Sequence, residues 1–544
     1  MPSLPSIISQ RIADVAGIDP ELRPATKPQF GHFQSNVALR LAKAEGRSPR
    51  EVAQSIVARL DLGDLCEPLE IAGPGFINIR LSSDVLAGAA SELLADPHTG
   101  IVQVESPRTV VIDYSAPNVA KQMHVGHLRT TIIGDCFNRV LRAQGHEVIA
   151  QNHIGDWGTQ FGMLVEQVLV EDLDVGTLDL PAAEALYKRA NAHFQADPAF
   201  ADAARLRVVA LQSGDERTHA IWRQLIDVSM AGFNQTYARL HVLLTDDDIA
   251  GESSYNDDLP VIARDLEQRG IATIDDGALV VWVERFDAPL IVRKRDGGFG
   301  YACTDLAAMR RRVGQMHADR IIYVTDARQA GHFAQMFAVA RTAGYLPEHV
   351  EARHVGYGMV LGNDGKPFRT RDGSAATLTD LLDAAEQEAS PEIALAAIKY
   401  ADLSNGIQKD YVFDAERMVQ TTGDTGPYLQ YAHARINQIL RRAEAEQIGF
   451  GGVTVLAEPA EQGLALLLTR FGETVAEVAD TLQPHRLCGY LFELATAYST
   501  FYEQCPVLRS EGEVRASRLA LCAVTREVLA RGLDLLGIEA PERM

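Results

Sequence analysis

Cysteine is scarce and never grouped: Cys66, Cys136, Cys303, Cys488, Cys505 and Cys522 are scattered over 544 residues without a C-x-x-C pair. That excludes a disulfide framework and leaves no zinc-binding set, which would need three or four neighbouring ligands. The six read instead as small core residues. No apolar run approaches the ~20 residues of a membrane helix. The N-terminus lacks a basic stretch followed by an apolar one, so no secretory leader is expected and the default compartment is the cytoplasm. Positive charge is the scarcer sign, with 51 Lys and Arg against 73 Asp and Glu and a formal charge of −22. A surface that gripped nucleic acid throughout would need the reverse, because phosphate binding runs on neutralisation by Lys and Arg. Basic residues are densest at Arg310-Arg311-Arg312, at Arg435 and at Arg441-Arg442. Each of these is either a local patch for phosphate or a solvated helix face.

Core-forming residues are plentiful, at 47% hydrophobic against 23% charged, and the length exceeds what one core organises, so several domains are expected. Residues 1–105 read as a small α+β unit. Ser48-Pro49-Arg50-Glu51 has the form of a capping box with proline at the first helical position. Ile77, Ile79 and Leu81 then alternate with Asn78 and Arg80 as in a half-buried strand. At 109–112 the texture changes to Thr-Val-Val-Ile, a continuous β-branched run suited to a buried parallel strand. After a loop, Leu128, Ile132, Ile133, Phe137, Val140 and Leu141 mark one helix face, which stops at Gly145 before a strand near 147–151. Further strands at 320–324 and 354–360 make 106–391 a doubly wound parallel sheet of the Rossmann type. It is interrupted by an acidic, mostly helical insertion at about 165–280. Residues 392–544 read as an α-helical bundle, with Leu429, Ala432, Ile436 and Ile439 in one apolar stripe and Leu464, Leu467, Leu468 and Phe471 in another.

The chemistry concentrates at the first strand-to-helix turn. His124 and His127 stand three apart where a helix opens, so their imidazoles share a face at an end whose dipole and free N–H groups attract phosphate. Gly126 between them offers a place where adenine could lie against the backbone. Lys121, one turn earlier, is placed to add charge to the same phosphates. H-x-G-H alone is a short motif that could be incidental, but a buried strand before it and a helix after it are the context a nucleotide turn needs. Asp305 reads either as a helix N-cap ahead of Leu306-Ala307-Ala308-Met309 or as a carboxylate for a planar cation, which it could hold in paired charge-assisted hydrogen bonds.

Ser115-Ala116-Pro117-Asn118-Val119-Ala120-Lys121 followed by His124-Val125-Gly126-His127-Leu128-Arg129 resembles the signature of class I aminoacyl-tRNA synthetases in its arginyl-specific form. The likeness continues through Asn152 to Gln160 (NHIGDWGTQ), Asp402 to Asp414 (DLSNGIQKDYVFD), the stretch opening Gly426-Pro427-Tyr428-Leu429-Gln430-Tyr431, and Phe501 to Val507. It also covers an extra N-terminal domain over 30–80 and the terminal residues up to Met544. The resemblance implies a HUP-like catalytic fold, an N-terminal domain that contacts tRNA and a C-terminal bundle that binds the anticodon. It implies activation of L-arginine with ATP and Mg²⁺, without zinc, then transfer to the 2′-hydroxyl of the terminal adenosine of tRNA(Arg), by a monomer with no membrane partner.

Residue by residue, the resemblance assigns catalysis to His124, His127 and Lys121. ATP falls to His124, Gly126, His127, Met359, Val360, Lys366 and Arg369, and arginine to Ser115, Asn118, His124, Tyr301, Asp305 and Gln329. A site built on bonds to a guanidinium can reject analogues lacking those donors by as much as ~10⁴ to 10⁵, so no editing domain is implied. One departure matters: the lysine-rich K-M-S-K-S loop of the wider class is replaced by Gly365-Lys366-Pro367-Phe368-Arg369-Thr370-Arg371, and the resemblance suggests that Lys121 supplies the missing charge. Asp364-Gly365-Lys366-Pro367 is also an ordinary turn sequence. Tyr428, Tyr431 and Arg435 either face anticodon bases or fill the bundle core. The rivals are a cofactor-making nucleotidyltransferase, which shares the turn but is usually much shorter, and a noncatalytic tRNA-binding relative, which would need no ATP turn.

Overall fold

The computed structural model describes residues 3–369 and 376–544. Its centre is a parallel sheet of β1 (Thr109–Asp113), β2 (Glu147–Gln151), β3 (Arg320–Asp326) and β4 (Glu351–Tyr357) in the order β4-β3-β1-β2. Val110, Val111 and Ile112 of β1 are fully buried, as a strand covered on both faces requires. The helix α1 (Val125–Ala143) carries the chain from β1 to β2, whereas β3 lies on the opposite side of β1. The winding reverses between β1 and β3, and in open sheets the crevice at the carboxyl ends of two such strands is where ligands bind.

The strand expected at 354–360 begins earlier, at Glu351, and ends at Tyr357; Val360 belongs to a separate short strand paired with Tyr411. Two glycine-flanked apolar segments so close together look continuous in sequence, and only pairing separates them. The insertion contains the helices Leu180–Ala196, Pro198–Gln212, Glu216–Arg239 and Leu259–Gln268. It closes with an antiparallel three-stranded sheet, Thr273–Asp275, Ala278–Val281 and Leu290–Arg293, which lies partly beyond the expected limit of 280. Next come α2 (Tyr301–Gly314) and α3 (Ala330–Thr342), the helix that follows β3.

The N-terminal unit holds a four-stranded antiparallel sheet, and Ser48, Pro49 and Glu51 form the capping box expected of them. Asn78, read as the polar side of a half-buried strand, is itself buried and bonds Gln34 across the sheet. The helix Ser83–Ala95 packs against bundle helices Pro459–Leu468 and Gly512–Leu535. In the bundle, Leu429, Ala432, Ile436 and Ile439 of α4 (Gly426–Ala445) are all buried. The second stripe is divided: Leu464, Leu467 and Leu468 end one helix and Phe471 begins the next. All six cysteines are buried and unpaired.

The Arg310-Arg311-Arg312 cluster is divided: Arg310 is exposed beside the Tyr345 ring, while its two neighbours are tied down. Arg312 is wholly buried, where its Nη2 donates to Asp113 at 2.6 Å and its Nε to Gln151 at 2.7 Å. Arg311 bonds Asp258 and stands over the Tyr255 ring. No helix is long and apolar enough to cross a membrane among the described residues.

Candidate active site at the end of the parallel sheet

The loop leaving β1 carries three non-glycine residues with left-handed backbone: Ser115 at φ 73°, Ala116 at 49° and Ala120 at 58°. Each such conformation costs on the order of 1 kcal/mol or more and persists only where the surroundings enforce it. Here a side-chain oxygen from elsewhere captures each N–H. Ser115 donates to Thr130 Oγ1 (3.1 Å), Ala116 to Asn152 Oδ1 (3.1 Å) and Ala120 to Ser229 Oγ (2.9 Å). The insertion reinforces this loop, since Gln122 bonds Glu184 and the Lys121 ammonium lies 4.3 Å from the centre of the Tyr187 ring. Ser115 was expected at the substrate, but its side chain is buried and its hydroxyl bonds Tyr237 at 2.7 Å and Thr131 at 3.0 Å. Asn118 is exposed, and Gly155 passes so close that a Cβ there would lie 2.6 Å from the Asn118 Oδ1.

His124 is the N-cap of α1, and the two histidines form a reciprocal cap. The Gly126 N–H donates to His124 Nδ1 at 3.0 Å, and the His124 N–H donates to His127 Nδ1 at 3.1 Å. The rings lie 3.9 Å apart. Burial, then the neighbouring His124, pushes His127 down to about 3; burial, then Arg328, lowers His124. Both imidazoles are therefore neutral at pH 7, and because each Nδ1 accepts, each proton sits on Nε2. Two Nε2–H donors result, at a helix end that already favours anions. Gly126 serves this geometry directly: a Cβ there would lie 2.7 Å from His124 Cε1 and 2.9 Å from Nδ1. It makes room for the His124 ring, which accounts for the glycine without adenine.

Segment 376–378 docks on this turn, with Val125 N–H donating to the Ala376 carbonyl and Leu378 N–H to that of Met123. It follows in sequence the stretch that replaces the lysine-rich motif. Lys366 and Arg369 are exposed on the near side of that loop, Gly362 and Lys366 close the expected turn, and Thr370 and Arg371 lie outside the described residues. Met359 is exposed, and Val360, expected with it at ATP, is packed in the core at 6% exposure.

A second group of residues lines the other flank. The helix α2 begins at Tyr301 and is capped by Gly300, which removes the N-cap reading of Asp305 and places it one turn inside, on the same face as Tyr301. Tyr301 is largely exposed, and Gln329 is exposed just beyond β3. Asp305 is half-buried and accepts from His332 Nε2 of α3 at 2.6 Å. Glu252, from the insertion, faces the same charge: burial, then Asp156 and Asp305, pushes its carboxyl up to about 7. A carboxyl in that state is short of positive charge. Sequence reasoning missed Glu252 and His332 because they stand 53 and 27 residues from Asp305 without a local pattern to mark them.

On α4, the Arg435 guanidinium stands over the Tyr502 ring at 4.1 Å and near Tyr431 at 5.9 Å, and both tyrosines are exposed. Tyr428 turns inward instead, with its ring 5.8 Å from Phe492 and its hydroxyl near Ser499. Arg441 is held by the Glu542 carbonyl. A buried ion pair ties the turn to the bundle junction: Arg129 Nε bonds Asp402 at 3.1 Å and its Nη1 donates to the Lys409 carbonyl at 3.0 Å.

Three family models match the chain: "tRNA synthetases class I (R), catalytic domain" over residues 90–394, "DALR anticodon binding domain" over 429–544 and "Arginyl tRNA synthetase N terminal domain" over 3–81. An arginine–tRNA ligase of Cutibacterium acnes is 68% identical over 556 residues, covering 100% of both chains. One of Thermobifida fusca is 50% identical, covering 97% of this chain and 95% of its own. Among solved structures, the arginyl-tRNA synthetase of Plasmodium falciparum superposes with a TM-score of 0.82 at 26% identity over 100% of both chains. That of Thermus thermophilus gives 0.81 at 26% identity, covering 99% of this chain and 100% of its own. The chain belongs to the arginyl-specific family of class I aminoacyl-tRNA synthetases.

Proposed function

We propose that this chain is an arginine–tRNA ligase whose ATP, taken as its Mg²⁺ complex, lies with its α-phosphate against His124 and His127. The arginine carboxylate attacks that phosphorus, pyrophosphate leaves, and the arginyl group then passes to the 2′-hydroxyl of the terminal adenosine of tRNA(Arg). Such a displacement needs positioning and stabilised phosphoryl charge more than it needs covalent chemistry by the protein. The observation that carries the reading is the neutral histidine pair, whose Nδ1 atoms are both occupied, so that two pre-set Nε2–H donors stand at a helix N-terminus. Lys121 supplies the fixed positive charge, with Lys366 or Arg369 assisting from the loop.

On the amino-acid side, Asn118 and His124 take the α-groups, and Tyr301 and Gln329 line the side-chain pocket. Asp305 and Glu252 together receive the guanidinium. Two carboxylates around one planar cation explain why Glu252 is held so readily protonated without substrate: arginine supplies the charge it lacks. Anticodon bases stack on Tyr431 and Tyr502 beside Arg435, a small basic and aromatic track on an otherwise acidic protein. The N-terminal unit contacts the tRNA elsewhere, and the enzyme acts as a cytoplasmic monomer. The test is arginine-dependent pyrophosphate exchange, with and without tRNA. Exchange that depends on arginine is expected, and exchange driven by another amino acid but not by arginine would overturn the assignment.

A further inference from the structure

We propose that His332 is a positioning residue for arginine selection: it fixes one oxygen of Asp305 and so turns the other toward the substrate's guanidinium. The inference rests on the reading of Asp305 as the guanidinium acceptor.

The bond from His332 Nε2 to Asp305 Oδ2 is 2.6 Å long and joins the opening turns of α2 and α3, the helices on either side of β3. Both side chains retain access to solvent, at 33% for His332 and 21% for Asp305. Ion pairs that exposed contribute little to folding, so fold stability alone does not account for this one. Its effect is on the carboxylate. An aspartate with two free oxygens rotates about its last torsion, which is broad and has no sharp preference. With Oδ2 held, the plane of the group is set and Oδ1 remains for a second donor. A guanidinium bonds carboxylates in a fixed planar fork, so its binding depends on that plane; an ammonium, a compact point charge, is far less demanding.

The surroundings keep the imidazole in place. Phe333 meets His332 edge-on at 5.5 Å, and Phe333 stacks in turn on His354, whose Nε2 bonds Thr325. Asp305 draws the His332 imidazole's proton affinity upward, which strengthens the bond. Of the other carboxylates here, Asp156 bonds Ser253 through both oxygens, and burial, then Asp156 and Asp305, pushes the Glu252 carboxyl up.

The experiment compares His332→Ala, His332→Gln and Asp305→Asn in aminoacylation with saturating tRNA, with KM measured separately for arginine and for ATP. Loss of a hydrogen bond to a charged partner should raise the arginine KM of His332→Ala roughly ten- to a hundredfold. The ATP KM, kcat and thermal midpoint should stay near wild type. His332→Gln, which can place a neutral N–H at the same reach, should recover most of the loss. A purely structural role would move the midpoint and both KM values together and would not be rescued by glutamine. If Asp305→Asn raises the arginine KM while His332→Ala does not, or if His332→Gln is as impaired as His332→Ala, the proposal for His332 falls and the pocket stands. If Asp305→Asn leaves the arginine KM unchanged, the pocket reading falls and takes this inference with it.

Discussion

Replacing Gly126 with alanine separates what the glycine does for the fold from what it does for the reaction. The added Cβ would sit 2.7 Å from His124 Cε1 and 2.9 Å from its Nδ1, closer than non-bonded atoms tolerate, so the imidazole must swing away. The Gly126 N–H to His124 Nδ1 bond is then lost, and with it a cap worth about 1 kcal/mol. Alanine in place of glycine inside a helix returns about 0.8–1.0 kcal/mol, so the two changes nearly cancel and the thermal midpoint should barely move. Activity does not share in that cancellation. Displacing one pre-set donor from a charge-stabilising site costs roughly 10²–10³ in kcat, or about 2.7–4 kcal/mol. The assay pairs thermal unfolding with tRNA-dependent pyrophosphate exchange at saturating ATP and arginine. An alanine variant that melts as wild type and exchanges at more than about a tenth of the wild-type rate would show that the His124 ring position does not govern activation. The variant His124→Asn keeps a capping side chain but no imidazole. It should melt near wild type and be at least as inactive as Gly126→Ala.

Arginine affinity should depend on pH with a definite sign. Glu252 is protonated below about 7 in the free enzyme, and a cationic ligand favours its ionised form, so binding must expel a proton there. The arginine KM should therefore be flat above about pH 7 and rise by up to about tenfold per unit below it; Glu252→Gln should flatten the profile at a higher KM, and an unchanged pH slope would remove Glu252 from the pocket. Arg129→Met leaves Asp402 buried without its cation and should destabilise the protein by about 3–5 kcal/mol, read from urea unfolding. A loss under about 1 kcal/mol would mean the pair is not closed in solution. For tRNA, Arg435→Gln should weaken binding and reduce the slope of log affinity against log salt by about 1. A slope that stays put would separate Arg435 from the phosphate backbone.

The catalytic sheet, α1 and the H-x-G-H turn were legible because each is written in a contiguous stretch: a β-branched run, a helical stripe, a pair of histidines three apart. Capping at Ser48 and the stripe on α4 were legible for the same reason. Other features depend on partners that periodicity does not register. Ser115 stands in the signature, but its bond to the hydroxyl of Tyr237, more than a hundred residues away, was not legible there. Val360 was assigned to ATP by resemblance alone, and its pairing with Tyr411 was not legible in the sequence. The arginine run at 310–312 looked basic and free, whereas Asp113 at the end of β1 had already claimed Arg312.

These long-range contacts also shape the site. The loop after β1 is held left-handed by oxygens from Thr130, Asn152 and Ser229, so its conformation is a property of three segments docked together. Of these, Ser229 belongs to the insertion, as do Tyr187 beside Lys121, Glu184 beside Gln122 and Glu252 beside Asp305. The insertion thus contacts the loop carrying Lys121 and Gln122 and faces the charge of Asp305. A shift of its helices would release the Lys121 ammonium from Tyr187 and move Glu252 relative to Asp305 in the same step. Two-substrate activation needs both reactants held at once, and on the proposed assignment one element touching both flanks would link them through geometry.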